Sequence, residues 1–237
     1  MSKLFPVTLE GASLRRAGKT LVGPLDLELQ AKGVTVVIGP NGAGKTSLLR
    51  MMHGIARLGS GTIRWSCPTN EAREHQAFVF QHPIMMRRTV LGNLIYPLRL
   101  AGYSRAQARA RAAEAAAEIG LGEMLDRPAP FLSGGARQKL ALARALITQP
   151  ELLFLDEPCA SLDGRATREI EEILTRASAR GTRLIMSTHD MGQARRLASE
   201  VLFLLNGNIH EHSSSEAFFG GAASPQAQAF LNGDIVE

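Results

Sequence analysis

Alternating and continuous runs of apolar residues divide the chain into predicted strands. The segments "PVTLEGASL" and "PLDLELQ" alternate apolar and polar positions, as half-exposed strands do. "GVTVVIG" is an unbroken, largely β-branched run, which is typical of a buried central strand. Shorter strands are predicted at "GTIRW" and "HQAFVFQ", and three more in the second half at "LLFLDE", "TRLIMST" and "EVLFLL".

Helical patterns lie between these strands. They run from Gly44 to about Ile55 and from Thr89 to Gly120, with Ser104 as an expected N-cap, and another helix follows "FLSGG". The tail from Ser213 predicts short helices around "GGAASP". Strands that alternate with helices predict an α/β fold with a mostly parallel sheet and an all-helical insertion near residues 85–130.

Composition narrows the class of protein only a little. The 237 residues suffice for one substantial core, and Cys67 and Cys159 are too few for a disulfide framework, which favours a reducing compartment. No apolar run is long enough to cross a bilayer, and "MSKLFPVTLEG" lacks a signal-peptide pattern. The net charge of +5 is compatible with nucleic acid, anionic lipid or an acidic protein and selects none of them.

The strongest motif is the phosphate loop "GPNGAGKT", which follows a buried strand and opens a helix. Its residues are Gly39, Pro40, Asn41, Gly42, Ala43, Gly44, Lys45 and Thr46. Backbone N–H groups of such a loop cradle phosphates, Lys45 reaches the β and γ phosphates, Thr46 binds Mg²⁺, and Ser47 supports the α phosphate. A chance glycine-rich turn is the alternative, and the strand-to-helix context disfavours it.

Two acids end the apolar run "LLFLDEP". Asp156 and Glu157 are predicted at the carboxyl end of a buried strand, where ligands of open α/β sheets bind. Asp156 suits a Mg²⁺ shell, and Glu157 can polarise an attacking water. Incidental acids at a solvated strand end would be the better interpretation of this stretch alone, but the phosphate loop makes it the weaker one.

The stretch "FLSGGARQKLALARAL" predicts a helix with a bare start. Gly134 and Gly135 stand where the first turn forms, and no acid follows them. The exposed N–H groups and the positive end of the helix dipole suit a phosphate. The sequence therefore holds two candidate phosphate sites.

These three motifs occur together with Gln81 in "VFQHP", Ser161-Leu162-Asp163 and His189 in "MSTHD". In this order they resemble the glutamine loop, D-loop and switch histidine of the ATP-binding subunits of ABC transporters, and the resemblance covers nearly the whole chain. It implies a single ABC ATP-binding domain over residues 1–237. Its expected parts are a P-loop NTPase core, an N-terminal antiparallel β subdomain and the inserted helical subdomain.

The resemblance also implies a homodimer that sandwiches ATP between head-to-tail chains. Ser133, Gly134, Gly135 and Asp163 of one chain would then face the nucleotide on the partner's phosphate loop. This arrangement accounts for the second phosphate site.

The implied chemistry is ATP hydrolysis with Mg²⁺. Glu157 would activate water, His189 would hold the γ phosphate, and Gln81 would sense the metal or the water. The metal would be held by Thr46, Gln81 and Asp156.

Three positions depart from the family pattern. Arg16 stands where an aromatic residue usually stacks on adenine; it is either a substitute platform or an exposed strand-end arginine. Ala136 replaces a glutamine after "LSGG", which removes one expected contact to the partner's ribose. Cys159 replaces the usual threonine or serine beyond the catalytic acid, as a small but oxidisable filler.

The stretch "QHPIMMRRTVLGNLIYPLRL" is the expected contact with integral-membrane permease subunits. Met85 and Met86 would supply apolar contacts there, and Arg87 and Arg88 ion pairs, unless the arginines are merely solvated. With the closing "AFLNGDIV" it resembles tungstate-type oxyanion importers most, and polar amino-acid importers next.

An importer subunit would lie at the cytoplasmic face of the inner membrane, work indirectly with a periplasmic or extracellular binding protein, and have no nucleic-acid partner. A soluble ABC ATPase of DNA repair or translation is the alternative from a different class. It is disfavoured because the chain has neither a long coiled-coil insertion nor a second ATPase module. A small-molecule P-loop kinase would not need "LSGG".

Overall fold

Two β-sheets and nine α-helices make up the part of the chain that the computed structural model describes, residues 2–234 and Val236. Met1, Ile235 and Glu237 lie outside it, and with them parts of "MSKLFPVTLEG" and "AFLNGDIV". The strands are β1 (Val7–Arg16), β2 (Lys19–Leu29), β3 (Val34–Ile38), β4 (Ser60–Arg64), β5 (Gln76–Val79), β6 (Leu152–Asp156), β7 (Arg183–Ser187), β8 (Glu200–Leu205) and β9 (Asn208–Ser214). The helices are α1 (Lys45–His53), α2 (Thr69–Glu74), α3 (Val90–Leu100), α4 (Arg105–Glu118), α5 (Gly134–Leu146), α6 (Gly164–Ala179), α7 (Met191–Leu197), α8 (Ser215–Gly221) and α9 (Pro225–Asn232).

The larger sheet has the strand order β5-β6-β7-β3-β8-β9 and is parallel except for β9. Strands β3, β6 and β7 are buried along their whole length, because helices cover both faces of the sheet. The carboxyl ends of these three adjacent strands meet at one edge. That edge carries the phosphate loop, Asp156 and Ser187.

The smaller sheet is antiparallel, in the order β2-β1-β4. Its inward side chains, such as Leu9 and Leu27, share a core with Leu48 and Met52 of α1 and with Phe154 of the larger sheet. Helix α1 is therefore held between the two sheets, which fixes the phosphate loop at its start.

The helical region between β5 and β6 consists of α3, α4, two short 3₁₀ turns at Gly122–Met124 and Ala129–Phe131, and α5. The predicted cap is confirmed: the Ser104 hydroxyl accepts from the Gln107 backbone, and the Gln107 side chain bonds back to Ser104, which forms a capping box. Ala108, Ala112 and Ala116 form a fully buried stripe on α4 at a spacing of four residues. Alanine's small volume lets this helix pack closely.

Two elements were not predicted. Helix α2 has six residues and little periodicity. Strand β9 is polar at every position except Ile209; it follows a turn in which Asn206 and Gly207 both have positive φ, and it pairs as an edge strand with β8. The tail helices begin at Ser215, two residues later than expected, because β9 continues to Ser214. Within the described residues, no helix has the length and apolar character needed to span a membrane.

Candidate functional site

The phosphate loop is shaped by glycines that no other residue can replace without strain. Gly39, Gly42 and Gly44 have φ values of 146°, 82° and 102°, which L side chains rarely adopt. A Cβ at Gly39 would lie 2.0 Å from the Leu204 carbonyl oxygen, and one at Gly44 would lie 2.9 Å from Val22 Cγ2. The loop is thus pressed against β8 and β2, with its N–H groups available at the start of α1.

Lys45 is a buried cation inside this loop. Its Nζ donates to the carbonyl oxygens of Gly39 at 2.8 Å and Pro40 at 3.1 Å. Burial lowers the pKa of Lys45, and the charges of Glu157 and Asp156 oppose that shift. No carboxylate in residues 2–234 is within ion-pair distance of it. A phosphate is the kind of group that would complete its coordination.

Asp156 accepts hydrogen bonds from two hydroxyl groups. Thr46 Oγ1 donates to Asp156 Oδ1 at 2.7 Å, and Ser187 Oγ donates to the same atom at 3.0 Å. Arg50 Nη2 lies 3.9 Å from Asp156 Oδ2. One hydroxyl and one carboxylate side by side are hard oxygen donors of the type that Mg²⁺ takes when phosphates and waters complete its shell. The residues present therefore fit this metal.

Glu157 is the point where three predicted catalytic residues meet. Its Oε2 accepts from Gln81 Nε2 at 3.2 Å and lies 3.1 Å from His189 Nδ1. Its backbone is in the left-handed region, with φ 46°, and its N–H donates to the Ser187 carbonyl and hydroxyl oxygens. Such a conformation costs on the order of 1 kcal/mol. It turns the carboxylate out of the strand's regular alternation and into the site.

Ser133, Gly134 and Gly135 at the start of α5, which we call the signature stretch, lie elsewhere on the chain's surface. Ser133 is the N-cap of α5, and its Oγ accepts from the Ala136 backbone at 3.4 Å. A Cβ on Gly135 would lie 3.1 Å from Ala166 Cβ, in the first turn of α6. Asp163 caps α6 by accepting from Ala166 N at 2.8 Å. In the described part of the chain, no hydrogen bond joins this group to the phosphate loop.

Arg16 and Cys159 are two of the positions that depart from the family pattern. Arg16 is exposed at the end of β1, where the hairpin turns through Ala17 and Gly18, so the adenine platform stays a prediction. Burial raises the pKa of the Cys159 thiol to about 11. At neutral pH this cysteine is a thiol rather than a reactive thiolate, which argues for the filler interpretation.

The segment after Gln81, which is predicted to contact permease subunits, has both exposed and half-buried side chains. Ile84 is 81% exposed, whereas Met85 packs against the core and Met86 is half-buried. Arg87 and Arg88 are exposed, and the Arg88 guanidinium lies 5.3 Å from the centroid of the Tyr96 ring. The most exposed apolar side chain of this segment is therefore Ile84 rather than either methionine.

Sequence reasoning missed Ser187 and Arg50. Ser187 is fully buried and bonds both acids, yet in the sequence it is one hydroxyl in "MSTHD". The signal that could have found it is its position at the end of the strand adjacent to Asp156. Arg50 stands one and a half turns into α1, on the side facing β6.

Comparison with known proteins decides the family. Residues 22–160 match the family model described as ABC transporter. This chain belongs to the ABC transporter family. It is 35% identical to the tungstate uptake system ATP-binding protein TupC of Peptoclostridium acidaminophilum, over 90% of this chain and 99% of that protein. It is 33% identical to the L-cystine transport system ATP-binding protein TcyN of Escherichia coli, over 90% and 92%.

Solved structures agree on the fold. The cbiO1 protein of Clostridium perfringens, part of the ABC transporter complex cbiONQ, superposes with a TM-score of 0.82 at 23% identity, covering 96% of this chain and 95% of that one. The ADP conformation of MJ1267, an ATP-binding cassette of an ABC transporter, gives 0.81 at 21% identity, covering 97% and 99%. The predicted family, the α/β fold and the assignment as an ABC-type ATPase are confirmed.

Proposed function

We propose that this chain is the subunit that hydrolyses ATP to drive an ABC importer. The observation that carries the proposal is the convergence of Gln81 and His189 on the Glu157 carboxylate, next to the Thr46–Asp156 pair. A phosphoryl-transfer site needs a cradle, a cation, a metal position and a base for water. The residues that we propose for these four roles lie at one edge of the larger sheet.

In this mechanism the phosphate loop and Lys45 hold the β and γ phosphates of ATP. Glu157 accepts the proton of the attacking water, and His189, 3.1 Å from its carboxylate, orients it and contacts the γ phosphate. Thr46 and Asp156, with Gln81, would hold Mg²⁺, which supplies charge neutralisation when bound. Gln81 shares Glu157 Oε2, so it reports on the state of the base.

The functional unit proposed here is a homodimer. Because Ser133, Gly134 and Gly135 begin α5 away from the chain's own phosphate loop, their exposed N–H groups suit a phosphate held by a second copy. Asp163 lies at the start of α6 beside them and would face the same nucleotide.

The decisive experiment on the ATPase is the substitution Glu157→Gln. The amide keeps the size and the contact with Gln81 but cannot accept a proton from water, so MgATP should bind while turnover falls by about 10³-fold. Gel filtration with MgATP should then show a stable dimer. A monomeric variant with near-parental turnover would remove Glu157 from its role as the base.

The import direction and the substrate rest on the relatives. The tungstate uptake protein is matched over 99% of its length, but the amino-acid transport ATP-binding proteins TcyN and HisP of Escherichia coli are 33% and 32% identical, so identity alone does not separate them. We propose tungstate or a related oxyanion first and a polar amino acid second. Uptake of tungstate and of cystine should be compared in cells that lack this chain; loss of cystine uptake alone would reverse the order.

The membrane partner is proposed to be a permease that contacts residues 84–88. Ile84, Arg87 and Arg88 are the exposed side chains of this segment, which directly follows Gln81. The chain would then lie at the cytoplasmic face of the inner membrane as a peripheral subunit, with the binding protein on the other side.

A further inference from the structure

The segment between Gln81 and α3 is irregular, yet one buried side chain holds its backbone. Asn93, in the first turn of α3, is fully buried. Its Oδ1 accepts from the Met86 N–H at 3.2 Å, and its Nδ2 donates to the Thr89 carbonyl at 3.0 Å. A buried amide that satisfies backbone groups in this way fixes the path of the segment to which it bonds.

A second side chain reaches the same segment from helix α5. Arg144, near the end of α5, donates from Nη1 to Asn93 Oδ1 at 3.2 Å and from Nη2 to the Ile84 carbonyl at 3.0 Å. Burial lowers the pKa of Arg144, and no carboxylate in the described residues forms an ion pair with it. Instead, this partly desolvated guanidinium donates to two neutral oxygens, Asn93 Oδ1 and the Ile84 carbonyl.

Helix α5 therefore connects two distant surfaces. Its start at Ser133 is the second phosphate site, and Arg144 lies eleven residues further on, about 16 Å along the axis at 1.5 Å per residue. Backbone bonds support the same connection, since Ala129 N–H donates to the Arg88 carbonyl just before the signature stretch. A helix held at both ends transmits a displacement as a nearly rigid rod.

We propose that Arg144 and Asn93 are positioning residues that couple the engagement of a phosphate at the start of α5 to the conformation of residues 84–88. The inference rests on the proposed function, because it needs a nucleotide at Ser133–Gly135. It adds a mechanical route from that site to the surface assigned to the permease. Gln81 lies just before residues 84–88 and donates to Glu157, so it connects the same segment to the proposed base.

A purely structural role makes a different prediction. If Arg144 and Asn93 only filled space, any replacement of similar size would lower stability and leave nucleotide responses unchanged. If they couple, hydrogen bonding matters rather than volume. Asn93→Asp keeps the two contacts in which Oδ1 accepts but places a carboxylate oxygen where Nδ2 donates to the Thr89 carbonyl, whereas Asn93→Leu keeps the volume and loses every bond.

The test is hydrogen–deuterium exchange of residues 84–89 in the purified protein, with Mg²⁺ and either a non-hydrolysable ATP analogue or ADP. The parent should show slower exchange with the ATP analogue than with ADP. Arg144→Met and Asn93→Leu should reduce that difference at least about fivefold, while ATP-analogue affinity stays within about twofold. Arg144→Lys, which retains the charge but not the fork, should be intermediate.

Arg105→Met, which removes an exposed arginine from α4, serves as the control and should retain the parental difference. Asn93→Asp, which keeps the contact with Arg144 but loses the donor to the Thr89 carbonyl, should reduce the difference less than Asn93→Leu does. Thermal unfolding of each variant shows that it is folded; if Arg144→Met is not, Arg144→Lys and the Asn93 pair carry the test.

Parental nucleotide-dependent exchange in Arg144→Met or Asn93→Leu would overturn the inference. So would a parent whose exchange at residues 84–89 is the same with both nucleotides although it turns over ATP. A parent without ATP turnover is a failure of the proposed function instead, and the inference falls with it.

Discussion

The two ends of the central strands carry opposite kinds of charge arrangement. At the amino ends, Arg183 is fully buried and bonds Thr35, the Gln30 carbonyl and Glu200. Glu200 also bonds His212 Nε2 at 3.0 Å through its second oxygen. Donors and acceptors are matched within the cluster, which is what stability requires.

At the carboxyl ends the charges are incompletely matched. Among the described residues, Lys45 is buried with only carbonyl oxygens as hydrogen-bond partners, and Glu157 shares one carboxylate oxygen between Gln81 and His189. These groups have bonding capacity left for a nucleotide and a water. Burial of charge therefore has two uses in one sheet. A cluster whose hydrogen bonds are complete stabilises the fold. A cluster with bonding capacity left can bind a ligand.

The largest effect should come from disabling the two candidate phosphate sites in two different chains. Lys45→Ala removes the phosphate-binding cation, and Ser133→Arg places a bulky side chain at the start of α5. Each should abolish turnover, by about 10³-fold or more, as a pure homodimer. Mixed together they should recover part of the activity, because one site of the heterodimer then has both surfaces intact.

ATP turnover of the mixture measures this, with subunit exchange shown independently. Lys32→Ala, which removes an exposed lysine, is the control. No recovery from folded, exchanging chains would mean that the second phosphate site does not act across the dimer.

A substitution in the Arg183 cluster at the amino ends of the strands should lower stability rather than activity. Arg183→Met leaves Glu200 without its buried cation and should lower the free energy of unfolding by about 3–5 kcal/mol. Turnover per folded molecule should stay close to that of the parent. Arg180→Met, which breaks the exposed pair with Glu118, should cost at most about 1 kcal/mol.

Denaturant unfolding of both variants makes the comparison. Equal losses would show that burial of the Arg183 cluster contributes nothing special.

The same cluster predicts a pH dependence. Burial alone would raise the pKa of Glu200, but hydrogen bonds from His212 and Thr35 and the charge of Arg183 outweigh it and lower the pKa to about 2. Because the folded-state pKa lies below the ordinary value of 4.5, the stabilisation is fully present above pH 4.5. It is lost as pH falls from about 4.5 to about 2. It amounts to roughly 3 kcal/mol.

Urea unfolding of the parent and of Glu200→Gln, measured between pH 6 and the acid limit of folding, should show the two stabilities converging as pH falls. Glu10→Gln, at an exposed pair with Arg64, should show little convergence. A constant gap between the parent and Glu200→Gln would contradict the lowered pKa.

The smallest effect concerns Arg16, which is exposed at the end of β1. If its guanidinium stacks on adenine, Arg16→Ala should weaken ATP binding by an amount within about 1–3 kcal/mol, and Arg16→Tyr should retain most of the affinity. Titration calorimetry distinguishes the two variants. Parental affinity in Arg16→Ala would favour the exposed-arginine interpretation.

What could be predicted from the sequence follows the range of the interactions. The phosphate loop, Asp156, Glu157 and the Ser104 cap depend on neighbours within a few residues, and their patterns are legible in one stretch. Ser187 depends on the register of β7 against β6, which no local pattern encodes.

The same limit applies to the polar contacts between elements. The Arg183–Glu200 and Asn93–Arg144 pairs join residues 17 and 51 positions apart. In the sequence each of these side chains is indistinguishable from a solvated one. Strand β9 was missed because its half-buried positions include Glu211 and Ser213 as well as Ile209, so apolar and polar residues do not alternate along it.

The contact of Gly39 with Leu204 has a consequence for how fast a nucleotide is captured. With no room for a Cβ, the loop is held between β8 and β2 in its curved shape by contacts within the protein itself. An incoming triphosphate does not have to order the loop, so little conformational entropy is lost on association. Capture should then be limited by the rate of encounter rather than by a rearrangement of the protein.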